Sequence, residues 1–329
     1  MRAVFYDRFG PAAEVLSLGE VDTPAPGPGE VLVRLAFSGV NPSDAKARAG
    51  ARPGVTRPPF PRIIPHSDGA GVIEAVGAGV DRSRIGERVW VFNGQWQRPC
   101  GTAADYIALP AAQAVPLPEG VALETGACLG IPGLTAAQTV FGGGEVAGRT
   151  LLISGGAGAV GHNAVQLARW GGARVIATAA PDAAGRVRAA GAEAVFDYAD
   201  PELAAKIIDA TRGRGIDRAV EVEFGRNAAL LAEVMAPLGT IAAYGSAQDM
   251  TPQLPFGAML FKALKIDITL VYILPDPARK AAIGRLHKAL CEGALKPEIH
   301  ARYPLEDCAR AHDAVLGHGR KGAVLLEIG

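Results

Sequence analysis

The stretch "TLLISGGAGAVGHNAVQLARW" (150–170) limits the fold of this chain more than any other. An apolar run (150–154) leads into Gly156-x-Gly158-x-x-Gly161. An amphipathic run follows, with Val160, Ala164, Leu167 and Ala168 on one helical face. Strand, glycine turn and helix in that order make an anion cradle. Gly156 permits the tight turn, and Gly158 lets the backbone approach a diphosphate at the helix N-terminus, where N–H groups and the helix dipole favour negative charge. Gly161 lets the helix pack closely on the strand. The turn predicts a dinucleotide site formed by Gly156, Ala157, Gly158, Ala159, Val160 and Gly161. The alternative is a tight turn that binds nothing.

The surroundings favour the site. Further strands are read at 173–179, 194–198, 216–223, 239–245 and 265–273, so with 150–154 there are six, alternating with helical segments. Asp200 as N-cap with Pro201 at the first helical position marks one helix start. Six such strands complete a doubly wound parallel sheet. Residues 1–122 differ. Strands at 30–39, 69–80, 87–92 and 102–110, punctuated by Pro- and Gly-rich clusters, predict a small β-barrel or sandwich. Residues 276–329 are mixed and end in "GAVLLEI" (322–328), a strand read as returning to the first domain. The division is thus 1–122, 123–275 and 276–329, in keeping with two domains for a chain of 329 residues.

Lys plus Arg equal Asp plus Glu at 33 each, so charge gives no case for nucleic acid or an anionic membrane as partner. No apolar run reaches the ~20 residues of a membrane span, and the N-terminus "MRAVFYDRFG" reads as a strand rather than a signal peptide. A cytoplasmic location is expected. Cys100, Cys128, Cys291 and Cys308 are far apart in sequence and read as four buried free thiols.

A dinucleotide site that takes NAD usually has Asp or Glu at the end of its second strand, to accept from the ribose 2′-hydroxyl. Here that strand ends in Thr178, Ala179 and Ala180, and Asp182 reads as the cap of the next helix. Arg186 and Arg188 follow. They either pair with a 2′-phosphate or lie on a solvated helix face. NADPH (NADP+) is therefore the expected cofactor.

The stretches "PGPGEVLVRLAFSGVNPSDAKARAG", "GAGVIEAVGAGV", "GERVW", "GLTAA", "SGGAGAVGHNAVQLAR", "AAGAEAVFDY" and "YPLEDCARAHDAV…GRKGAVLLEI" together resemble the medium-chain dehydrogenase/reductase superfamily. Within it the chain is similar to the zinc-independent quinone oxidoreductase (zeta-crystallin-like) branch, over nearly its whole length. The resemblance implies a GroES-like β-rich catalytic domain, a six-stranded Rossmann domain and a cleft between them. It also implies a homodimer joined through the Rossmann domains near 268–274, or a tetramer.

The resemblance also implies roles for particular residues. Asn41, in "GVNPSD", would donate a hydrogen bond near nicotinamide and substrate, with Asp44 fixing the local backbone. Thr135 would face the nicotinamide, and Tyr198 would lie beside the adenosine phosphate. Gly225, Gly245 and Ser246 would line the cofactor. Thr269, Leu270 and Val271 would lie near the carboxamide, and Lys321 with Gly322 would reach the cofactor from the tail. Phe224 would cover the adenine or fill core, and Trp96 would wall a pocket or lie at the surface. Lys46 and Arg52 stand where relatives carry Tyr, and they either make a basic cleft mouth or are simply solvated. Arg48 matches a basic position of relatives.

Zinc members of the superfamily hold the metal with Cys, His and Cys. Here Asn41 replaces the first, His66 stands alone, and 130–137 offers no third ligand, so no metal is expected; Cys100 is a stray candidate at best. Without a Lewis acid an alcohol is a poor substrate, whereas quinones and conjugated carbonyls accept hydride directly. The expected activity is NADPH-dependent reduction of such a small molecule. The rivals are an enone or enoyl-thioester reductase, and a non-enzymatic NADPH-binding structural or RNA-binding protein.

Overall fold

The computed structural model describes residues 1–51, 54–317 and 319–329. Its strands are β1 (Arg2–Phe5), β2 (Ser17–Glu20), β3 (Glu30–Val40), β4 (Asp68–Val76), β5 (Arg88–Val91), β6 (Tyr106–Pro110), β7 (Ala114–Pro116), β8 (Thr150–Ile153), β9 (Arg174–Ala179), β10 (Ala194–Asp197), β11 (Ile216–Glu221), β12 (Met235–Ala243), β13 (Lys265–Ile268), β14 (Ile299–Pro304) and β15 (Ala323–Glu327).

Two compact units divide the chain, Met1–Ile131 with Pro297–Gly329, and Pro132–Lys296. These joins differ from those read in the sequence at 122/123 and 275/276. The short helix Leu123–Gly126 packs on β4 and β5 and so stays with the first unit. The helix Asp276–Cys291 packs on the helix Leu134–Phe141 and so belongs to the second.

In the second unit the strand order is β10-β9-β8-β11-β12-β13, all parallel. This is the complete doubly wound sheet that six alternating strands imply. Parallel strands covered on both faces read as continuous apolar runs, and all four residues of β8 are buried. Leu152, Ile176, Ile216, Ala219, Leu231 and Ile241 form the centre of one core. The chain runs outward from β8 through β9 and β10, then crosses to β11 on the other side. The strand order therefore reverses between β8 and β11, and their carboxyl ends frame the switch point where such sheets bind ligands.

In the first unit β3 is the hub of a mainly antiparallel sheet ordered β14-β15-β3-β4-β5-β7. One side of β3 pairs β4. The other is shared: 30–34 pairs β6, and 37–40 pairs β15. The C-terminal strand thus does return to the first unit, where β14 lies parallel to it. Val31, Val33, Leu35, Ile73, Val89, Ile107 and Leu326 are among the buried residues of its core.

Several local expectations are corrected. The strand read at 265–273 ends at Ile268, because its partner β12 ends at Ala243; only the Thr269 N–H still reaches the Ala243 carbonyl, and Val271–Ile273 forms a short 3-10 turn. The helix read from Pro201 begins at Leu203, since Asp200 caps the preceding turn by accepting from Glu202 N at 2.9 Å. Asp182 lies within the turn Pro181–Ala183, and no side chain caps the helix Ala184–Ala189. Cys128 and Cys308 are buried, but Cys100 and Cys291 are exposed. No helix among the described residues is long and apolar enough to cross a membrane.

Candidate functional site

The glycine turn sits at the carboxyl end of β8 and opens the helix Ala159–Trp170. Gly158 is the N-cap residue, and no side chain caps the first turn, so Ala159, Val160 and Gly161 present their N–H groups at an open helix end. A Cβ on Gly161 would lie 2.2 Å from the Gly155 carbonyl oxygen, which makes glycine obligatory for the close packing of turn and helix. A Cβ on Gly158 would meet only the Gly155 carbonyl oxygen, at 3.5 Å. Among the described residues nothing else lies within 4 Å of that position, as a cradle for a diphosphate requires.

Beside this turn β9 ends in Ala179, and Ala180 carries no carboxylate. Arg186 reaches back from its helix and donates from Nη2 to the Ala157 carbonyl at 2.7 Å. Its guanidinium is therefore fixed at the glycine loop. Arg188 instead points to Val195, at 3.4 Å from its carbonyl. Tyr198 follows the end of β10 and is 53% exposed.

At the switch point stands Glu221, the last residue of β11 and fully buried. It accepts from Ser154 Oγ at 2.5 Å, from Glu223 N at 2.5 Å and from Asn227 Nδ2 at 3.0 Å. Burial raises its carboxyl above the usual range, and these hydrogen bonds only partly oppose the shift. Glu221 and Ser154 had not been picked out as site residues from sequence.

The loops beyond β12 and β13 complete this edge. Gly245 lies against Val222, whose carbonyl a Cβ would meet at 2.4 Å. Ser246 donates its one hydroxyl proton to the Asp249 carbonyl and accepts from Gly225 N at 2.8 Å, so its side chain ties the loop together rather than offering a donor to a ligand. Phe224 packs against the core. Val271 is buried and Leu270 exposed. Thr269 Oγ1 is buried and has no partner. An orphaned hydroxyl at the carboxyl edge of such a sheet fits an amide-bearing ligand, since it can both donate and accept. Thr135 is buried in the helix Leu134–Phe141 of the same unit.

In the first unit Asn41 precedes the helix Pro42–Arg48, and Asp44 Oδ2 accepts from its backbone N–H at 2.8 Å. Its side chain is held by a residue that sequence reasoning passed over. Asp68 Oδ2 accepts from Ile131 N and from Asn41 Nδ2, both at 2.8 Å. Because that oxygen already accepts from a backbone N–H, Asn41 must present its NH2 group to it; its carbonyl oxygen faces the Asp44 N–H in a capping box, which leaves one amide hydrogen for another partner. Asp68 Oδ1 is buried without a partner, and burial pushes the carboxyl well above the ordinary carboxylate range. Lys46 is exposed. Arg48 is buried and donates to the Gly10 carbonyl. Arg52 lies outside the described residues. Lys321 is exposed in the turn before β15, and Trp96 is half-buried.

His66 is not solitary. It is fully buried, and its Nδ1 and Nε2 lie 2.9 Å from Ser38 Oγ and from His312 Nε2 respectively. Cys308 Sγ is 4.0 Å from His66 Nε2. Burial holds both imidazoles well below their usual range and hence neutral. The signal in the sequence was Cys308-x-x-x-His312, a spacing that puts two ligand-type side chains on one helical face. The helix Cys308–Leu316 packs in the first unit.

Two family models match: "Alcohol dehydrogenase GroES-like domain" over residues 27–119 and "Zinc-binding dehydrogenase" over 159–285. The chain is 31% identical to a quinone oxidoreductase of Rattus norvegicus over 330 aligned residues, covering 99% of this chain and 97% of the relative. Among solved structures it is similar to an NAD-dependent alcohol dehydrogenase (TM-score 0.90, 29% identity, all of both chains). It is also similar to a mycobacterial protein complexed with NADPH (TM-score 0.88, 26% identity, all of both chains).

The second family description raises the question of zinc. At Asn41 the donor set does not fit it. Asn41 and Asp68 are bonded to each other, and the buried Cys128 thiol donates to the Glu124 carbonyl at 3.3 Å, with burial and Asp68 pushing it away from thiolate. With 31% identity over nearly the whole chain added to the two large sheets and the glycine turn, the chain is an oxidoreductase of the quinone oxidoreductase branch of the medium-chain dehydrogenase/reductase superfamily.

Proposed function

We propose that the protein is an NADPH-dependent reductase that passes hydride to a quinone or a conjugated carbonyl acceptor, with no zinc in the step. The observation that carries this reading is the Asn41–Asp68 hydrogen bond. It commits the position where zinc relatives offer a thiolate to an amide, which orients an acceptor but cannot polarise an alcohol as a metal does. A bound reduced nicotinamide supplies the hydride. The chain's own groups bind and orient. The open N-terminus at Gly158 would take the diphosphate, and Arg186, with no acid at Ala180, would take the 2′-phosphate. Thr269 Oγ1 would hold the carboxamide. Asn41 would position the acceptor through its remaining amide hydrogen, and Thr135, Tyr198 and Lys321 keep the roles that the family resemblance implies. The charge that develops on the acceptor is delocalised there, and solvent supplies the proton.

A homodimer formed through the second unit belongs to the same reading. The edge strand β13 and the neighbouring helix Phe256–Phe261 expose Ile266, Ile268, Leu260 and Phe261, the last at 91%. An apolar open sheet edge of this kind calls for a cover, and a two-fold partner provides the same patch in return. A cytoplasmic location also belongs to this reading.

The test is NADPH oxidation by the purified protein against benzoquinones, 2-alkenals and enoyl thioesters, with NADH and a strong chelator as controls. Turnover of quinones with NADPH, unaffected by chelator, is the expected result. Turnover confined to enoyl thioesters would make it an enoyl reductase, and cofactor binding with no turnover at all would sink the enzymatic reading.

A further inference from the structure

The geometry points to a second binding site, in the core of the first unit: His66, Cys308 and His312 form a three-coordinate pocket for one soft monovalent metal ion, Cu(I). The three ligand atoms lie within 4.8 Å of one another, and all three residues are buried. A trigonal site with bonds of about 2.0–2.3 Å sets its ligand atoms roughly 3.5–3.7 Å apart. The observed 2.9 Å between the two Nε2 atoms and 4.0 Å from Cys308 Sγ to His66 bracket that spacing.

The hydrogen-bond network shows how the site is built. Thr102 Oγ1 donates to the Asp68 carbonyl at 2.5 Å, so it accepts from Ser38 Oγ at 2.7 Å. With its proton used, Ser38 accepts from His66 Nδ1–H at 2.9 Å. His66 Nε2 is therefore a bare lone pair fixed in direction, as a ligand histidine held by an outer partner is. In the metal-free state His312 Nε2–H donates to it, and His312 Nδ1 is left buried with no partner. Metal entry removes that hydrogen bond. The Nε2 proton of His312 moves to its unused Nδ1, the Cys308 thiol gives one proton to water, and the thiolate and both Nε2 atoms bind the cation. One cation enters and one proton leaves.

His66 has φ +77°, the left-handed region in which a non-glycine side chain is strained. The ligand set selects the metal. Thiolate with imidazole suits Cu(I) and zinc, but zinc in a closed site takes four ligands. Among the described residues no fourth His, Cys or carboxylate joins the group, and burial shuts out water. The ion would brace the helix Cys308–Leu316 against the chain before β4. It has no part in hydride transfer.

The test is anaerobic titration of the Cys100→Ser/Cys291→Ser protein, free of exposed thiols, with Cu(I) against a chromophoric Cu(I) chelator. One equivalent is expected, with release of one proton, a raised melting temperature and an X-ray absorption spectrum of one sulfur and two imidazoles. Cys308→Ser should abolish this binding, and Ser38→Ala should weaken it about 10- to 100-fold. The spectrum of the loaded parent protein needs no core variant to fold. No uptake, uptake that Cys308→Ser retains, a first shell without sulfur, or preference for Zn(II) would each overturn the proposal.

Discussion

Asn41 donates through Nδ2 to Asp68 Oδ2, and the same oxygen accepts from Ile131 N, each at 2.8 Å. One buried carboxyl thus fixes both the amide proposed to meet the acceptor and the backbone where the chain leaves the first unit. Asp68→Ala should strand the buried Asn41 amide, at about 1–3 kcal/mol, and the half-buried Ile131 N–H, at less. A fall in melting temperature and in kcat is expected, with cofactor affinity unchanged. Asn41→Ala should lower kcat with a smaller fall in melting temperature than Asp68→Ala, since Asp68 keeps the Ile131 N–H and only the cap and one hydrogen bond are lost. Calorimetry with steady-state kinetics separates the two variants. Equal kcat in Asn41→Ala and the parent would remove Asn41 from the reaction.

Arg186 and Ala180 carry the cofactor preference. Arg186→Ala should raise KM for NADPH about 10- to 100-fold, the worth of a charge-assisted hydrogen bond of about 1.5–3 kcal/mol, and should barely change KM for NADH. Ala180→Asp should reverse the preference, since a carboxylate there repels a 2′-phosphate and accepts from a 2′-hydroxyl. Unchanged NADPH/NADH ratios in both variants would count against the assignment.

Two glycines of one turn should behave differently. Gly158→Ala adds a methyl group that meets no protein atom closer than 3.5 Å. Stability should stay within about 1 kcal/mol of the parent, while cofactor binding is lost. Gly161→Ala drives a methyl group into the Gly155 carbonyl, so stability should fall as well, by about 1–3 kcal/mol. Thermal melts beside cofactor titration read out both effects.

The apolar edge at Ile268, 78% exposed, predicts oligomerisation. Light scattering should give a dimer mass for the parent and a monomer mass for Ile268→Lys. A monomeric parent would end the argument.

Glu221 should leave a mark on the pH profile. Its carboxyl is raised by burial, so between the ordinary 4.5 and its folded value the native state binds more protons than the unfolded one. Stability from this group is therefore full below 4.5 and declines as pH rises through that window. Glu221→Gln keeps the hydrogen-bonding shape and drops the titration. Its melting temperature relative to the parent should climb with pH and then level off. A difference that does not vary with pH would contradict the raised carboxyl.

The second unit was legible because its information is local. Strand, turn and helix follow one another within a few residues, and strands buried on both faces write themselves as apolar runs. Even there the end of β13 was misread, because what stops it is the end of its neighbour β12 at Ala243. The first unit was less legible because its decisive contacts are remote. Asp68 meets Ile131 across 63 residues, and His66 meets His312 across 246. A histidine without a nearby ligand looks solitary in one dimension, and only the folded tail shows its company. Burial is the other hidden quantity: Glu221 and Asp68 differ from surface carboxylates in solvation, which no spacing records.

The position of β15 has a consequence for how the protein is made. The edge of β3 at 37–40 is covered by β15, and Pro132–Lys296 is synthesised between the two strands. At about 5–20 residues per second, a ribosome takes roughly ten to thirty seconds to cross that interval. Throughout that time the nascent first unit holds an open sheet edge, while the second unit, continuous in sequence, can already close on itself. The second unit can therefore close before the sheet of the first is complete, and β15 joins that sheet only afterwards.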